Sequence, residues 1–217
     1  MMTKIPQRSS NNFETKMFYL KKPLRFVPLL ILTGFLFANT SLAQTEFKLD
    51  GIIIETNAKH IDPAAFKAKI TLAFELLKTK APSDYATMKS FIGKIRAYQA
   101  SGANFNEDIM TIDIAKATFD ASLEWLTSVL AHETTHIKKY KDTGKKFGDA
   151  HLLTDKKAAL QIMINEELDC NKVQLAVLEK VGGAKYEIDY LRAQKGDHFD
   201  IDKDGDYDMD DYKGRKW

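Results

Sequence analysis

The segment His132-Glu133-Thr134-Thr135-His136 constrains the fold of this chain more than any other stretch of it. In an α-helix, residues four apart stack on one face, so both imidazoles can bind a single metal ion. The glutamate that follows the first histidine then lies beside the metal, where its carboxylate can take a proton from water. The motif therefore predicts a helix that carries a zinc site together with its own general base.

Apolar residues around the motif predict that this helix runs over about residues 120–140 and is buried on two sides. One apolar face consists of Phe119, Leu123, Leu126, Leu130 and Ile137. The two histidines lie on a different face, in line with Trp125 and Val129. The alternative interpretation is a well-packed helix with two ordinary core histidines, but two buried imidazoles and a glutamate would then all need hydrogen-bond partners.

Residues 1–43 have the pattern of a secretory signal peptide. Basic residues precede an apolar run at 26–38, and Ser41-Leu42-Ala43 offers small residues for cleavage after Ala43. The run has 13 residues, fewer than the roughly 20 that span a bilayer. The alternatives are an uncleaved membrane anchor and translation that begins at Met17. We expect a secreted or periplasmic protein that has no stable membrane span after cleavage.

Removal of this leader reverses the sign of the net charge. The whole chain carries +2, but the leader holds six bases and one acid, which leaves 26 bases and 29 acids in a mature chain of 174 residues. That length predicts one domain with a sizeable core, at 44–196, followed by an acidic tail at 197–217. No basic patch is interleaved with aromatics, so we expect no nucleic-acid partner. Cys170 is the only cysteine, so no internal disulfide can form, and a lone thiol of this kind is usually a buried small side chain.

Elsewhere, short strands alternate with long helices, which predicts an α+β fold in which a small twisted sheet packs on a mainly helical core. We expect strands at 47–55 and 109–114, a turn at 101–104 and a polar loop at 142–149. One helix is capped by Asp62 and reaches about Lys80; a second is capped by Thr154 and ends at Gly182. The segment that begins at Pro82 has no clear type.

A catalytic zinc ion needs a third protein ligand and an open position for water. Glu167 is favoured over Glu166, because a carboxylate beside the core stripe of its helix is expensive to bury unless a cation neutralises it. Asp142 stands at the ligand position of the longer pattern H-E-x-x-H-x-x-G-x-x-H/D, but Lys139 replaces the glycine of that pattern. Asn171 could orient a liganding histidine. The alternative is that this acidic cluster is an ordinary solvated helix face.

At these residues the chain resembles the gluzincin metallopeptidases, and among them the compact minigluzincins. The resemblance covers residues 109–114, 122–140 and 165–182. It implies a zincin-like core in which the active-site helix and a glutamate helix face each other. It also implies zinc on His132, His136 and Glu167, with Glu133 as the general base and acid of a peptidase.

Two features of the family pattern are unsettled in this chain. Gluzincins often carry an aspartate four residues after the ligand glutamate, where this chain has Asn171. The residue that would donate a hydrogen bond to the oxyanion is not assigned, and the candidates are His151, Tyr140 and Tyr190. The strand at 109–114 could hold an extended peptide beside the metal, although an internal position in the sheet is an equal alternative.

Residues 200–211 match the calcium loop of an EF-hand. The expected ligands are Asp200, Asp202, Asp204, the backbone carbonyl of Asp206, Asp208 and Asp211, with Gly205 at the sharp turn. Asp211 is shorter than the usual glutamate, and the six residues that follow are too few for a full exiting helix. We expect a structural Ca²⁺ site, with a hydrated acidic tail as the alternative.

Together these patterns favour a secreted zinc metallopeptidase that acts on peptides or proteins and is stabilised by calcium. One alternative is a non-catalytic calcium-binding interaction module whose zinc site is vestigial or structural. Another is a zinc hydrolase of non-peptide amides or esters. An open coordination position distinguishes an enzyme from a structural site, which has four protein ligands. The oligomeric state is not predicted.

Overall fold

A five-stranded mixed sheet and seven α-helices form the part of the chain that the computed structural model describes, residues 45–57, 59–105, 108–146 and 149–214. These residues fall in a single structural unit. This architecture confirms the α+β class. The signal peptide expected at 1–43 lies outside the described residues.

The sheet begins with a hairpin, where the sequence pattern suggested one strand. Strands β1 (Thr45–Leu49) and β2 (Ile52–Thr56) pair antiparallel. Asp50 and Gly51 connect them with φ values of 52° and 93°, the left-handed conformations that a tight two-residue hairpin needs. The prediction of a single strand at 47–55 is wrong, because Gly51 forms the turn and does not interrupt a strand.

Three further strands complete the sheet in the order β1-β2-β3-β5-β4. They are β3 (Lys94–Ala97), β4 (Gly102–Asn104) and β5 (Thr111–Ile114). β2, β3 and β5 run parallel, and β4 pairs antiparallel with β5. The strand expected at 109–114 therefore exists, but it is internal. The edge strand beside β5 is β4, where a turn was expected.

The helices are α1 (Pro63–Lys80), α2 (Pro82–Phe91), α3 (Lys116–Asp120), α4 (Leu123–Thr143), α5 (Lys156–Val181), α6 (Lys185–Arg192) and α7 (Met209–Gly214), with a 3-10 turn at Asp149–Leu152. The Asp62 cap of α1 is confirmed, since its carboxylate accepts from Ala65 N at 2.8 Å. The cap of α5 is Asp155 and not Thr154, because Asp155 accepts from Ala158 N at 3.0 Å. The segment after Pro82 is α2 followed by β3.

The two faces of the sheet differ in chemistry, because side chains alternate along each strand. Ile54, Ile95 and Ile112 are paired in register and fully buried in the main core. The opposite face carries ion pairs, including Arg96 Nε to Asp113 Oδ1 at 2.7 Å. The sheet thus offers one apolar face to the helices and a polar network on the other face.

Helix α4 is buried on both sides, as its two apolar faces predicted. Leu126 and Leu130 belong to the same core cluster as Phe66 of α1. On its other side α4 packs against α5, and Ser128 accepts a hydrogen bond from Gln174 of α5 at 3.4 Å. Within the described ranges, no helix is both long enough and apolar enough to cross a membrane.

The start of α4 depends on a side-chain cap. Ser122 Oγ accepts from Trp125 N at 2.8 Å, which satisfies one of the free amides at the helix terminus. We expect Ser122→Ala to lower the free energy of unfolding by about 1 kcal/mol, measured by urea denaturation at fixed metal concentrations.

Ser90→Ala is the matched control. Ser90 is exposed within α2, and its hydroxyl donates only to the Ala86 carbonyl one turn earlier. Its replacement should change the stability by less than about 0.5 kcal/mol. Equal losses in the two variants would contradict a capping role for Ser122.

Candidate metal centre

Helix α4 presents His132 and His136 on one face, and both rings are buried. Their Nε2 atoms lie 3.1 Å apart. Two ring nitrogens at this distance cannot both offer only lone pairs to each other, so a proton or a cation must lie between them. The Nε2 atoms of both rings therefore face the same point beside α4.

Helix α5 brings Glu167 to that place. Glu167 Oε1 lies 3.6 Å from His132 Nε2, and Oε2 lies 3.5 Å from His136 Nε2. Three ligands bound tetrahedrally to one zinc ion at about 2.0–2.2 Å lie about 3.3–3.6 Å from each other. The two histidine–glutamate distances lie within this range, and the 3.1 Å between the rings is slightly below it. A small movement of the side chains would therefore accommodate a zinc ion without rearrangement of either helix.

The surrounding carboxylates divide into those near the centre and those remote from it. Glu166 was considered as a rival ligand, but its Oε1 contacts His136 Nδ1 at 3.2 Å, the nitrogen that faces away from Glu167. A carboxylate in this position orients a liganding imidazole and raises its basicity. Glu166 therefore stands in the outer position that was predicted for Asn171. Asp142 pairs with Lys138 at 2.5 Å on the exposed end of α4 and is not part of the centre.

Cys170 is fully buried, as expected for a lone cysteine, but its neighbour is His136. Its Sγ and the ring nitrogens of His132 and His136 all lie within 4.8 Å of one another. Burial raises the pKa of this thiol, which keeps it a neutral partner of the imidazole. A thiolate bound to zinc would instead make a fourth protein ligand and close the site.

Without a metal, the three candidate ligands differ in how readily they carry a charge. Burial lowers the pKa of His132 to about 4, because a buried imidazole disfavours its charged form. Burial also acts on His136, but hydrogen bonds to Cys170, Glu166 and Glu167 raise its pKa well above the usual value. Burial opposes ionisation of Glu167, yet the two histidines lower its pKa to about 2. A bound cation would replace the proton on His136.

Glu133 lies on α4 between the histidines and the sheet edge. It is buried, and burial raises its pKa to about 7, partly opposed by the charge of His136. Its carboxylate also accepts a hydrogen bond from the backbone of Ala103 in β4. A carboxyl group with a pKa near neutrality can both accept and return a proton, as a general base and acid must.

The oxyanion donor stays open between the two tyrosines and the histidine considered for it. The Tyr140 ring lies 5.0 Å from Phe105, and the Tyr190 ring lies 5.9 Å from Trp125. His151 lies beside Tyr207 of the acidic tail, with ring centroids 6.4 Å apart. None of these contacts ties the three residues to the metal ligands.

His198 is the residue near the centre that sequence reasoning missed. It lies two residues after Gly196, and a Cβ at Gly196 would lie 3.4 Å from Glu167 Cβ. The side chain is exposed, unlike the two motif histidines. Its only signal in the sequence is its position two residues before Asp200, the first acid of the calcium loop.

The acidic loop forms two overlapping groups of carboxylates. Oxygens of Asp200, Asp202 and Asp211 lie within 4.8 Å of one another, and so do those of Asp206, Asp208 and Asp211. The Oδ1 atoms of Asp200 and Asp206 are buried and make no hydrogen bond within the described structure. Buried oxygens without donors indicate a place for a cation.

Hydrogen bonds within the loop hold two more of the expected calcium ligands in place. Asp204 Oδ1 accepts from Asp206 N at 3.0 Å. The backbone carbonyl of Asp206 stays a predicted ligand, and the carboxylate of the same residue belongs to the second group. The short helix α7 follows the loop and carries Asp211 at its start.

The acidic loop is anchored to α5 by apolar contacts. Phe199 and Tyr207 are buried in a second core cluster with Ala159, Leu160 and Met163 of α5. Tyr207 N also donates to Lys156 O at 3.1 Å. The tail is therefore packed on the same helix that supplies Glu167.

No family model matches this chain, and neither curated proteins nor solved structures provide a significant match.

The raised pKa of Glu133 predicts a pH-dependent stability in the zinc-free protein. Folding keeps this group protonated up to about pH 7, whereas the unfolded chain ionises near pH 4.5, so stability falls as the pH rises between these values. Glu133→Gln removes the effect. The variant should match the wild type near pH 4 and exceed it above pH 7 by on the order of 3 kcal/mol, measured by urea denaturation. A difference that does not depend on pH would contradict this prediction.

Proposed function

We propose that this protein is a secreted or periplasmic zinc metallopeptidase that hydrolyses peptide bonds. The observation that carries the proposal is the triangle of His132 Nε2, His136 Nε2 and the Glu167 carboxylate, with sides of 3.1, 3.5 and 3.6 Å. Glu133, from the same helix, supplies the base that a hydrolytic zinc site needs beside its ligands. The leader at 1–43 supports export.

In the proposed mechanism each side chain has a distinct task. His132, His136 and Glu167 would hold the zinc ion, which supplies Lewis acidity towards a carbonyl and a water molecule. Glu133 accepts the proton of the attacking water and returns it to the leaving amine. A pKa of about 7 suits both transfers. Glu166 keeps the His136 ring in position through its contact with Nδ1.

Strand β4 is the proposed support for the substrate. It is the last strand in the sheet order, and its Ala103 backbone contacts Glu133. An extended peptide can add to such an edge through backbone hydrogen bonds. A substrate bound there would present its carbonyl between Glu133 and the metal ligands.

The second candidate is a non-catalytic module with a structural zinc site, and the position of Cys170 favours it. A thiolate from Cys170 would complete four protein ligands and leave no position for water. The raised pKa of this thiol argues against that candidate, because zinc binds the thiolate form.

Zinc content and activity of single variants test the ligand set. Glu167→Ala should lose stoichiometric zinc and hydrolysis of an unfolded protein substrate. Glu166→Ala should retain zinc with about 10- to 100-fold weaker affinity, because it removes an outer partner of a ligand. Glu133→Gln should keep zinc and lose hydrolysis. Metal content is measured by mass spectrometry and activity by peptide release.

Asp142→Ala is the matched control, since this acid pairs with Lys138 at the surface. It should leave both metal content and hydrolysis unchanged. Unchanged activity in Glu133→Gln, or stoichiometric zinc in Glu167→Ala, would contradict the proposed mechanism.

Calcium is proposed to stabilise the acidic loop. Ca²⁺ added to calcium-free protein should raise the melting temperature, because it relieves repulsion among the carboxylates and supplies the buried Asp200 oxygen with a partner. Asp200→Asn should weaken this response at least tenfold in Ca²⁺ concentration, an effect on the order of 1.4 kcal/mol. Asp210→Asn, an exposed acid of the same loop, should not. Identical melting curves with and without Ca²⁺ would contradict the proposal.

A further inference from the structure

The segment Gly196-Asp197-His198-Phe199-Asp200, here named the linking segment, crosses α5 beside Glu167. Gly196 has φ +73°, and a Cβ placed there would lie 2.9 Å from Ile164 O and 3.4 Å from Glu167 Cβ. Only glycine tolerates both this conformation and this approach. The backbone therefore packs directly on the turn of α5 that presents the third metal ligand.

The other end of the linking segment belongs to the acidic loop. Phe199 is buried with Tyr207 against α5. Asp200 follows at once, and its Oδ2 accepts from Gly205 N at 3.2 Å while its buried Oδ1 makes no hydrogen bond in the described structure. Any cation that binds Asp200 thus acts four residues away from Gly196.

His198 lies between these two anchors. Its ring contacts Phe199, with centroids 3.9 Å apart. Its side chain is exposed, and it lies two residues from Gly196, whose Cα packs on the turn of α5 that carries Glu167. The ring can therefore report on the packing of the linking segment, and it is accessible from solvent.

We propose that Ca²⁺ bound by loop 200–211 controls the metal centre through the linking segment, by holding Gly196 against the turn of α5 that carries Glu167. This inference rests on the proposed function, since it concerns the same zinc site. Without Ca²⁺, repulsion among the loop carboxylates loosens Asp200, and the contacts of Gly196 and His198 weaken with it. Because coupling between two binding sites is reciprocal, zinc must also tighten Ca²⁺ binding.

The position of His198 can be followed by NMR on the mature chain with one equivalent of Co²⁺ in place of zinc. A paramagnetic ion shifts nearby proton resonances with a steep dependence on distance. We expect the His198 ring resonance, assigned by its loss in His198→Ala, to move strongly when Ca²⁺ is added to the Co²⁺ protein. Asp200→Asn should require far more Ca²⁺ for this movement, and Asp210→Asn should behave as the wild type.

Calorimetry tests the reciprocal effect. We expect zinc-loaded protein to bind Ca²⁺ at least about fivefold more tightly than zinc-free protein. Gly196→Ala should reduce that ratio, because its Cβ would lie 2.9 Å from Ile164 O and separate the linking segment from α5. Equal Ca²⁺ affinities in the two forms, or a His198 resonance that Ca²⁺ does not move, would overturn the proposal.

Glu133→Gln separates this inference from the peptidase assignment. The variant should show the full Ca²⁺ response although it is inactive, because neither measurement requires turnover. Retained hydrolysis in Glu133→Gln together with a normal Ca²⁺ response would reject the proposed function and leave the coupling intact. An inactive variant without the Ca²⁺ response would reject the coupling alone.

Discussion

The packing of α4 against α5 is the contact on which the metal centre depends. Helix α4 alone aligns two imidazoles, but the third ligand comes from α5. The two helices pack antiparallel. Ser128 near the start of α4 contacts Gln174 late in α5, and His136 later in α4 contacts Glu166 earlier in α5. A shift of either helix by one residue would rotate Glu167 away from the rings by about 100°. The site is therefore a property of the helix pair and not of the motif.

Charge burial makes this helix pair costly in the absence of a metal. His132, Glu133 and His136 of α4 and Glu167 of α5 are all buried where the two helices pack, and such groups destabilise a core unless they are paired or bound to a cation. His132 Nδ1 has no hydrogen-bond partner in the described structure, although Gln174 lies close to this histidine. The arrangement is difficult to explain as packing for stability and is well suited to metal binding.

Local patterns predicted the parts of this molecule that depend on neighbours in sequence. The spacing of His132 and His136 and the proline-led start of α1 depend only on helix geometry. The sheet order and the edge position of β4 depend on contacts between distant strands, which no local pattern encodes. Gly51 was misinterpreted because a glycine can interrupt a strand or turn a hairpin. His198 was missed because only the path of the tail across α5 brings it to the centre.

The central claim is that two histidines and one carboxylate hold a zinc ion and leave a position open. X-ray absorption at the zinc edge of the calcium-saturated protein tests it most directly. The account predicts only nitrogen and oxygen neighbours at about 2.0–2.2 Å, with the scattering pattern of two imidazoles. A sulfur neighbour at about 2.3 Å would contradict it, since Cys170 would then close the site to water.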